Sequence, residues 1–392
     1  MSEMGKHDKI RNGMNGSCGI VGALLLLLSA CVTDFEPKGV KQIRDLLVVD
    51  GIITNGETVI HLSRSVGLQD DFTDDEYVNN AEVIVERLDG MRYSSFPAVE
   101  NGTYKIEVGE LDLNERYRLR IALDGEEYVS EYLVPVMTPP IDTVSLLKED
   151  QGQPVHLCVS THNSPNASTY YRWIYRENWE VKAEMFADAG LEYDEKGNQV
   201  IVYYDLMTSN NTYYCWGRDS SKVMLLGSSD KLTENVISSK RLITMEPGDK
   251  RLSVMYHVDV EQYSLRQEAY NYYFNLQKNI EESGSLFAPI PSEMKGNITC
   301  VSNADIQAIG YVEVATSSRV KRFVPEIKDV YEPVNSYCSA SIVEGMPEMA
   351  GYSLFHYDPF PNGEISSAFT RCVDCRRGAT KNKPSWWPNN HL

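Results

Sequence analysis

The eight residues RYRLRIAL, 116–123, put Tyr117, Leu119 and Ile121 on one side of an extended chain and Arg116, Arg118 and Arg120 on the other. A period of two suits a half-buried β-strand and not a helix of 3.6 residues per turn. TYKIEV, 103–108, repeats it, with Tyr104, Ile106 and Val108 against Lys105 and Glu107. LLVVDGIIT ends at Asn55-Gly56, EVIVERL runs to Asp89-Gly90, and Asp124-Gly125 leads into EEYVSEYLV. TVIHLSRSV alternates in part, with Val59 and His61 opposed to Ile60 and Leu62. Short strands divided by a turn signal about every ten residues predict an antiparallel β-sandwich, immunoglobulin-like or transthyretin-like, over residues 44–143. Pro139-Pro140 makes a stiff link out of it.

The N-terminus reads as an export signal. Lys6, Lys9 and Arg11 form a basic start, Ile20 to Leu28 an apolar run, and Ser29 and Ala30 a small-residue end. The run is far shorter than the roughly 20 residues that span a bilayer. Leu28-Ser29-Ala30-Cys31 resembles a bacterial lipobox, so residues 1–30 are expected to be removed and Cys31 to be lipidated. Residues 31–43 then form a tether, and acyl chains worth about 0.8 kcal/mol per buried CH₂ anchor the protein on a membrane.

Without residues 1–30 the chain has 34 basic and 54 acidic residues, a net charge of −20. A surface so acidic disfavours nucleic acid or anionic lipid as the main partner. The acidic stretch 70–76, DDFTDDE, lacks the glycine turn and ligand spacing of a calcium loop and reads as solvated.

Six cysteines remain after Cys18 and Cys31: Cys158, Cys215, Cys300, Cys338, Cys372 and Cys375. An even number outside the cytoplasm reads as a disulfide framework, with 15 possible connectivities. Cys372 and Cys375 form a C-x-x-C, but no second such pair or close histidine pair accompanies them. Basic residues, Gly378 and Pro384 follow in place of the helix a redox motif opens. Structural disulfides are the expectation; no metal site or cofactor is indicated.

Residues 144–392 are expected to form a larger, β-rich α+β domain carrying those disulfides, with one clear amphipathic helix, so that the chain is mainly β. YYRWIYRENWEV alternates Tyr171, Trp173 and Tyr175 with Tyr170, Arg172, Ile174 and Arg176. The aromatic face is either a platform for a sugar or peptide or a core face, and the core reading is favoured. SLRQEAYNYYFNLQKNIEESG predicts the helix, with Ser264 and Gln267 as a capping box, a stripe of Leu265, Ala269, Tyr273, Leu276 and Ile280, and Gly284 as its end. It should cover a sheet. Trp216, Trp386 and Trp387 are the candidate ligand or partner surface; the alternative is that they seal the domain's edge. No G-x-S-x-G, H-E-x-x-H or P-loop occurs, so no catalytic residue is assigned.

The lipobox together with YRLRIALDGEEYVSEYLVPVMTPPIDTV, YYRWIYRENWEV, YCWGRDSSKVMLLGSS, GSLFAPIPSEMKGNI and CVDCRRGATKNKPSWW resembles the domain-of-unknown-function family 4249, lipoproteins of Bacteroidota. Gly378-Ala379-Thr380-Lys381-Asn382 departs from the Gly-Gly-Thr-Asn run expected there. The resemblance implies an outer-membrane setting beside TonB-dependent transporters, with ligands unassigned and no catalytic residues to carry over. The reading that follows is a non-enzymatic outer-membrane lipoprotein, an accessory or ligand-capture subunit of a nutrient transporter. Asp34 and Glu36 loosely match a surface-export signal. Rival readings are a structural or adhesive surface protein, which needs no transporter gene beside its own, and a surface hydrolase, which needs a cleft of convergent polar groups with a perturbed carboxylate or histidine.

Overall fold

The computed structural model describes residues 45–66, 76–98, 100–203, 212–282, 296–324, 338–342, 352–356 and 365–388. Cys31, the expected leader 1–30, the expected tether 31–43 and most of the acidic stretch 70–76 lie outside these residues, as does Gly284. The described residues make one compact unit.

The chain begins with β1 (Leu47–Ile53), β2 (Gly56–Arg64), β3 (Glu82–Arg87), β4 (Arg92–Ser94), β5 (Thr103–Gly109), β6 (Tyr117–Leu123) and β7 (Glu126–Ser130). It continues through β8 (Ile141–Lys148), β9 (Val155–His162), β10 (Tyr170–Lys182), β11 (Ala189–Tyr193), β12 (Gln199–Tyr203), β13 (Tyr214–Ser220), β14 (Leu225–Ser228), β15 (Val236–Met245) and β16 (Met255–Leu265). Helix α1 (Gln267–Glu282) follows, then β17 (Ile298–Cys300), β18 (Ala308–Gly310), β19 (Glu313–Val314) and β20 (Ser317–Val324). The end holds β21 (Ser341–Ile342), β22 (Tyr352–His356), β23 (Ile365–Phe369) and the single turn α2 (Thr370–Val373). The protein is mainly β.

The alternating strands behave as their periodicity demands. In β6 the buried residues are Tyr117, Leu119, Ile121 and Leu123, and in β5 they are Tyr104, Ile106 and Val108. Each such side chain contributes about 1.5–3 kcal/mol by leaving water. The β6–β7 turn is tight because Asp124 and Gly125 both take positive φ, 53° and 85°, as a type I′ hairpin requires. Two sheets share this core: β18-β1-β2-β5, with β19 also on β1, and β17-β7-β6-β3-β4.

Both of those sheets are completed from far along the chain. β18 lies parallel to β1, with Leu47 opposite Ala308 and Val49 opposite Gly310, and β17 is antiparallel to β7. Cys300, Val312 and Val314 thereby join a core otherwise built from residues 47–128. The crossing is close: a Cβ on Gly310 would stand 2.3 Å from the Val49 carbonyl oxygen, at a φ of 149°. Gly310→Ala should therefore cost about 2–3 kcal/mol, read as a lowered denaturant midpoint; an unchanged midpoint would contradict the placement of β18.

A second pair of sheets follows the same logic. The sheet β13-β10-β16-β20, with β14 also on β10, packs one face on the sheet β15-β9-β8. Tyr171, Trp173, Tyr256, Val258 and Val260 meet Val144, Leu157, Val159, Ile243 and Met245 there. The aromatic face of β10 is thus core, as favoured. Gln262 is fully buried in this core, accepting from Trp173 Nε1 at 2.8 Å and donating to Pro139 O and Thr161 Oγ1, each at 3.0 Å, so its amide is satisfied at both ends.

Helix α1 lies at one end of this sheet, burying Ala269, Tyr272 and Tyr273 against Ile52, Tyr263 and Tyr311. Its start differs from the expected capping box. Ser264 and Leu265 belong to β16, Ser264 pairing with Tyr171 and donating its N–H to Thr138 Oγ1 at 2.8 Å. The sheet ladder outcompetes a local cap, and a distant carboxylate takes over: Glu313 accepts the Arg266 N–H at 2.8 Å where the helix begins. Among the described residues no helix is long and apolar enough to cross a membrane.

Candidate functional site

The second face of the β10–β16 sheet carries the site. Residues of β10 that alternate away from the core are Arg172, Ile174 and Arg176, and their neighbours across β16 are Tyr263, Glu261 and Asp259. On β20 the next positions are Ser317, Arg319 and Lys321. The two acids of β16 therefore lie between strands that carry cations, where side chains directly opposite stand about 5 Å apart and diagonal ones remain within reach. Asp259 and Glu261 are buried because β16 is a central strand, so both need cationic partners. Arg176 Nη1 reaches Glu261 Oε2 at 3.3 Å, and Arg319 grips Asp259 with Nε at 2.6 Å and with Nη2.

The β1–β2 hairpin forms the opposite wall. Arg172 sends Nη1 and Nη2 to the two Asp50 oxygens at 3.1 and 3.3 Å and lies over the Tyr273 ring at 4.7 Å. Lys105 pairs with Glu57 at 2.9 Å. Between the walls is a cleft of about 920 Å³, lined by Asp50, His61, Arg172, Arg176, Glu261 and Arg319 among others. Asp50 is 45% exposed and Arg172 only 9%, so the carboxylate faces the cleft and the guanidinium stands behind it.

Burial and charge together set the protonation of the cleft. Burial pushes the Asp50 carboxyl up, but the Arg172 charge and hydrogen bonds prevail and hold it below its ordinary value. His61 is lowered by burial, against the pull of Asp50 and with the push of Arg172 and Arg176. His257 on β16 is likewise lowered by burial, against Asp259 and with Lys321. The unfolded chain thus takes protons at these histidines more readily than the folded one. Stability should be fully present above the ordinary histidine value of 6.5 and decline as pH falls below it. Thermal unfolding followed down from pH 8 checks this, and a midpoint flat through that range would refute it.

The far end of the same face is closed by the C-terminal tail. Trp216 N–H and Thr380 O pair at 2.7 Å, Thr380 N–H and Trp216 O at 2.8 Å, and Trp387 Nε1 donates to Glu180 Oε2 at 3.0 Å. Trp216 and Trp387 are buried and pack with Met255. As an exposed surface these two candidates are corrected: they seal the sheet, because β13 and the tail bond edge to edge. Trp386 is the half-exposed member, its ring centroid 4.7 Å from that of His257 and 6.0 Å from that of Phe323.

The cysteines divide four and two. Cys215 bonds Cys375 and Cys338 bonds Cys372, so the C-x-x-C supplies one half to each of two bridges. Cys158 and Cys300, included among the disulfide candidates, are corrected to free, buried thiols. Cys158 sits within β9 opposite Ser145 and Arg241, and Cys300 within β17 opposite Tyr128, so different sheets hold them. Burial pushes the Cys158 thiol up and keeps it unreactive. Among the described residues no cluster of His, Cys, Asp and Glu is placed to hold a metal ion.

Sequence reasoning separated Arg172 and Arg176 from the aromatic face but did not single out the cleft. The available signal was VDVEQY, 258–263, in which acids alternate with valines that belong in a core. A protein-family model described as Domain of unknown function (DUF4249) matches residues 32–321. No curated protein matches the chain.

Proposed function

We propose that this chain, which belongs to the DUF4249 family, is a lipid-anchored outer-membrane protein that captures a small polar ligand beside a TonB-dependent transporter. The observation that carries the capture reading is the cleft of about 920 Å³ between the β1–β2 hairpin and the charged face of β10, β16 and β20. That volume lies in the range of small-molecule sites. Its cations are already balanced by carboxylates, so a ligand rich in hydrogen-bonding groups gains more there than a bare ion. Arg176 spends one nitrogen on Glu261, leaving further N–H groups for a guest.

The lipobox reading of Leu28 to Cys31 supports the anchor. Confinement by the tether would raise the effective concentration of the cleft near a transporter without any added contact. The test is gentle detergent extraction of native outer membranes, capture through a C-terminal tag, and mass spectrometry of what co-purifies. A stoichiometric TonB-dependent transporter is the expected result. A solitary lipoprotein would overturn the transporter reading, and a Cys31→Ala protein still in the membrane fraction would overturn the anchor.

A further inference from the structure

A second cavity, of about 700 Å³, lies where the disulfide-bonded tail meets the end of β10 and the loop around residue 250. Its wall carries five acids and five bases. The acids are occupied: Arg251 binds Glu177 and Asp249, Arg376 binds Asp374, and Lys222 binds Asp219, while Glu184 also has a partner. Arg376 and Lys222 stand outside the wall, so two of its acids are neutralised by cations that are not counted among the five.

Of the five bases, Arg251 is occupied and the other four are not on carboxylates. Lys182, Lys250 and Arg377 have no ion-pair partner among the described residues, and Arg371 lies over the Phe369 ring, 4.8 Å from its centroid, rather than on a carboxylate. All four are exposed. They come from separate segments: the last residue of β10, the 250 loop, the turn α2, and the turn after Cys375. In a chain with a formal charge of −19, an excess of uncommitted cations around one concavity is the reverse of the surface average. Low-dielectric walls concentrate such a field inside the cavity.

We propose that this cavity is an anion site, taking a small ligand with two or more negative charges: a polycarboxylate or a phosphate ester. Lys182 and Lys250 come from the sheet and its loop, and Arg371 and Arg377 from the tail, so the ligand is held between two parts of the fold. Cys375–Cys215 and Cys372–Cys338 fix the tail arginines in place, because each cysteine lies within two residues of one of them. This site does not depend on the charged cleft or on a transporter.

The test is calorimetric titration of the purified full-length protein in neutral detergent with tricarballylate, with pyrophosphate, and with acetate as the monoanion. Either multivalent anion should bind, more weakly as salt rises, and acetate should not. Tricarballylate alone would mark a carboxylate site and pyrophosphate alone a phosphate site. Lys182→Ala and Arg377→Ala should each weaken binding by about tenfold, the loss of one charge-assisted contact. Lys182→Ala leaves the tail bridges untouched, so its effect is not a loss of tail order, and Arg176→Ala in the other cleft should change nothing. No binding by either anion, or binding indifferent to Lys182→Ala and Arg377→Ala, would overturn the proposal.

Discussion

An Arg266→Met protein is expected to lose about 3–5 kcal/mol of stability, the cost of stranding a buried charge. Glu313 has no exposure at all, and Arg266 is its cation. The carboxylate also accepts the Arg266 N–H and the Val314 N–H, each at 2.8 Å, and the Arg266 guanidinium reaches on to Val134 O. One residue thus ties the start of α1 to β19 and to the segment leading toward β8. Burial raises the Glu313 carboxyl even against Arg266 and the two N–H donors. A group raised on folding favours the folded state most at low pH, where it is protonated, and that contribution is lost as pH rises. Without Arg266 the carboxyl must rise further, so the cost of the variant should shrink as pH is lowered toward the carboxylate range. Adding Glu313→Gln to Arg266→Met should recover at least half of the loss, since a neutral pair leaves no bare charge. Urea unfolding of the three variants at two pH values measures this. A double variant as unstable as Arg266→Met would show that packing and not charge is at stake.

Removing the Cys215–Cys375 bridge by a double alanine substitution should cost about 5 kcal/mol, and removing Cys338–Cys372 about 4 kcal/mol, on the loop-closure argument. The bridges close 160 and 34 residues, and the longer loop holds the greater unfolded-state entropy. The longer bridge also pins the tail at Trp216, where Cys215 precedes the strand-like pairing with Thr380. Its loss should bring Trp387 out of its contact with Glu180 and shift tryptophan emission to the red. Equal costs for the two bridges would argue that native packing, not chain entropy, sets their worth. Thiol counting over residues 32–392 gives an independent check: none labelled when native, two when unfolded without reductant. Those two should map to Cys158 and Cys300.

Much of the fold was legible locally because a strand declares itself through neighbours two residues apart. RYRLRIAL, TYKIEV and the turns at Asn55-Gly56 and Asp124-Gly125 needed nothing beyond their own side chains. The aromatic stripe of β10 was readable for the same reason. Ser264 misled because a capping box is also a local pattern, and here a ladder with Tyr171, some 93 positions earlier, overrode it.

The sequence by itself determined the β character, the turns, the helix and the presence of disulfides, since each rests on periodicity, backbone preference or an even cysteine count. Only the tertiary structure decided that β17 to β19 complete the N-terminal sheets, and that Trp216 and Trp387 seal a face while Trp386 remains half exposed. It alone set Asp50 against Arg172 across 122 positions and chose two disulfide bonds among six cysteines. The physical reason is one of range: alternation acts between adjacent residues, whereas a cleft exists where charges from distant strands must find partners because water has been excluded around them.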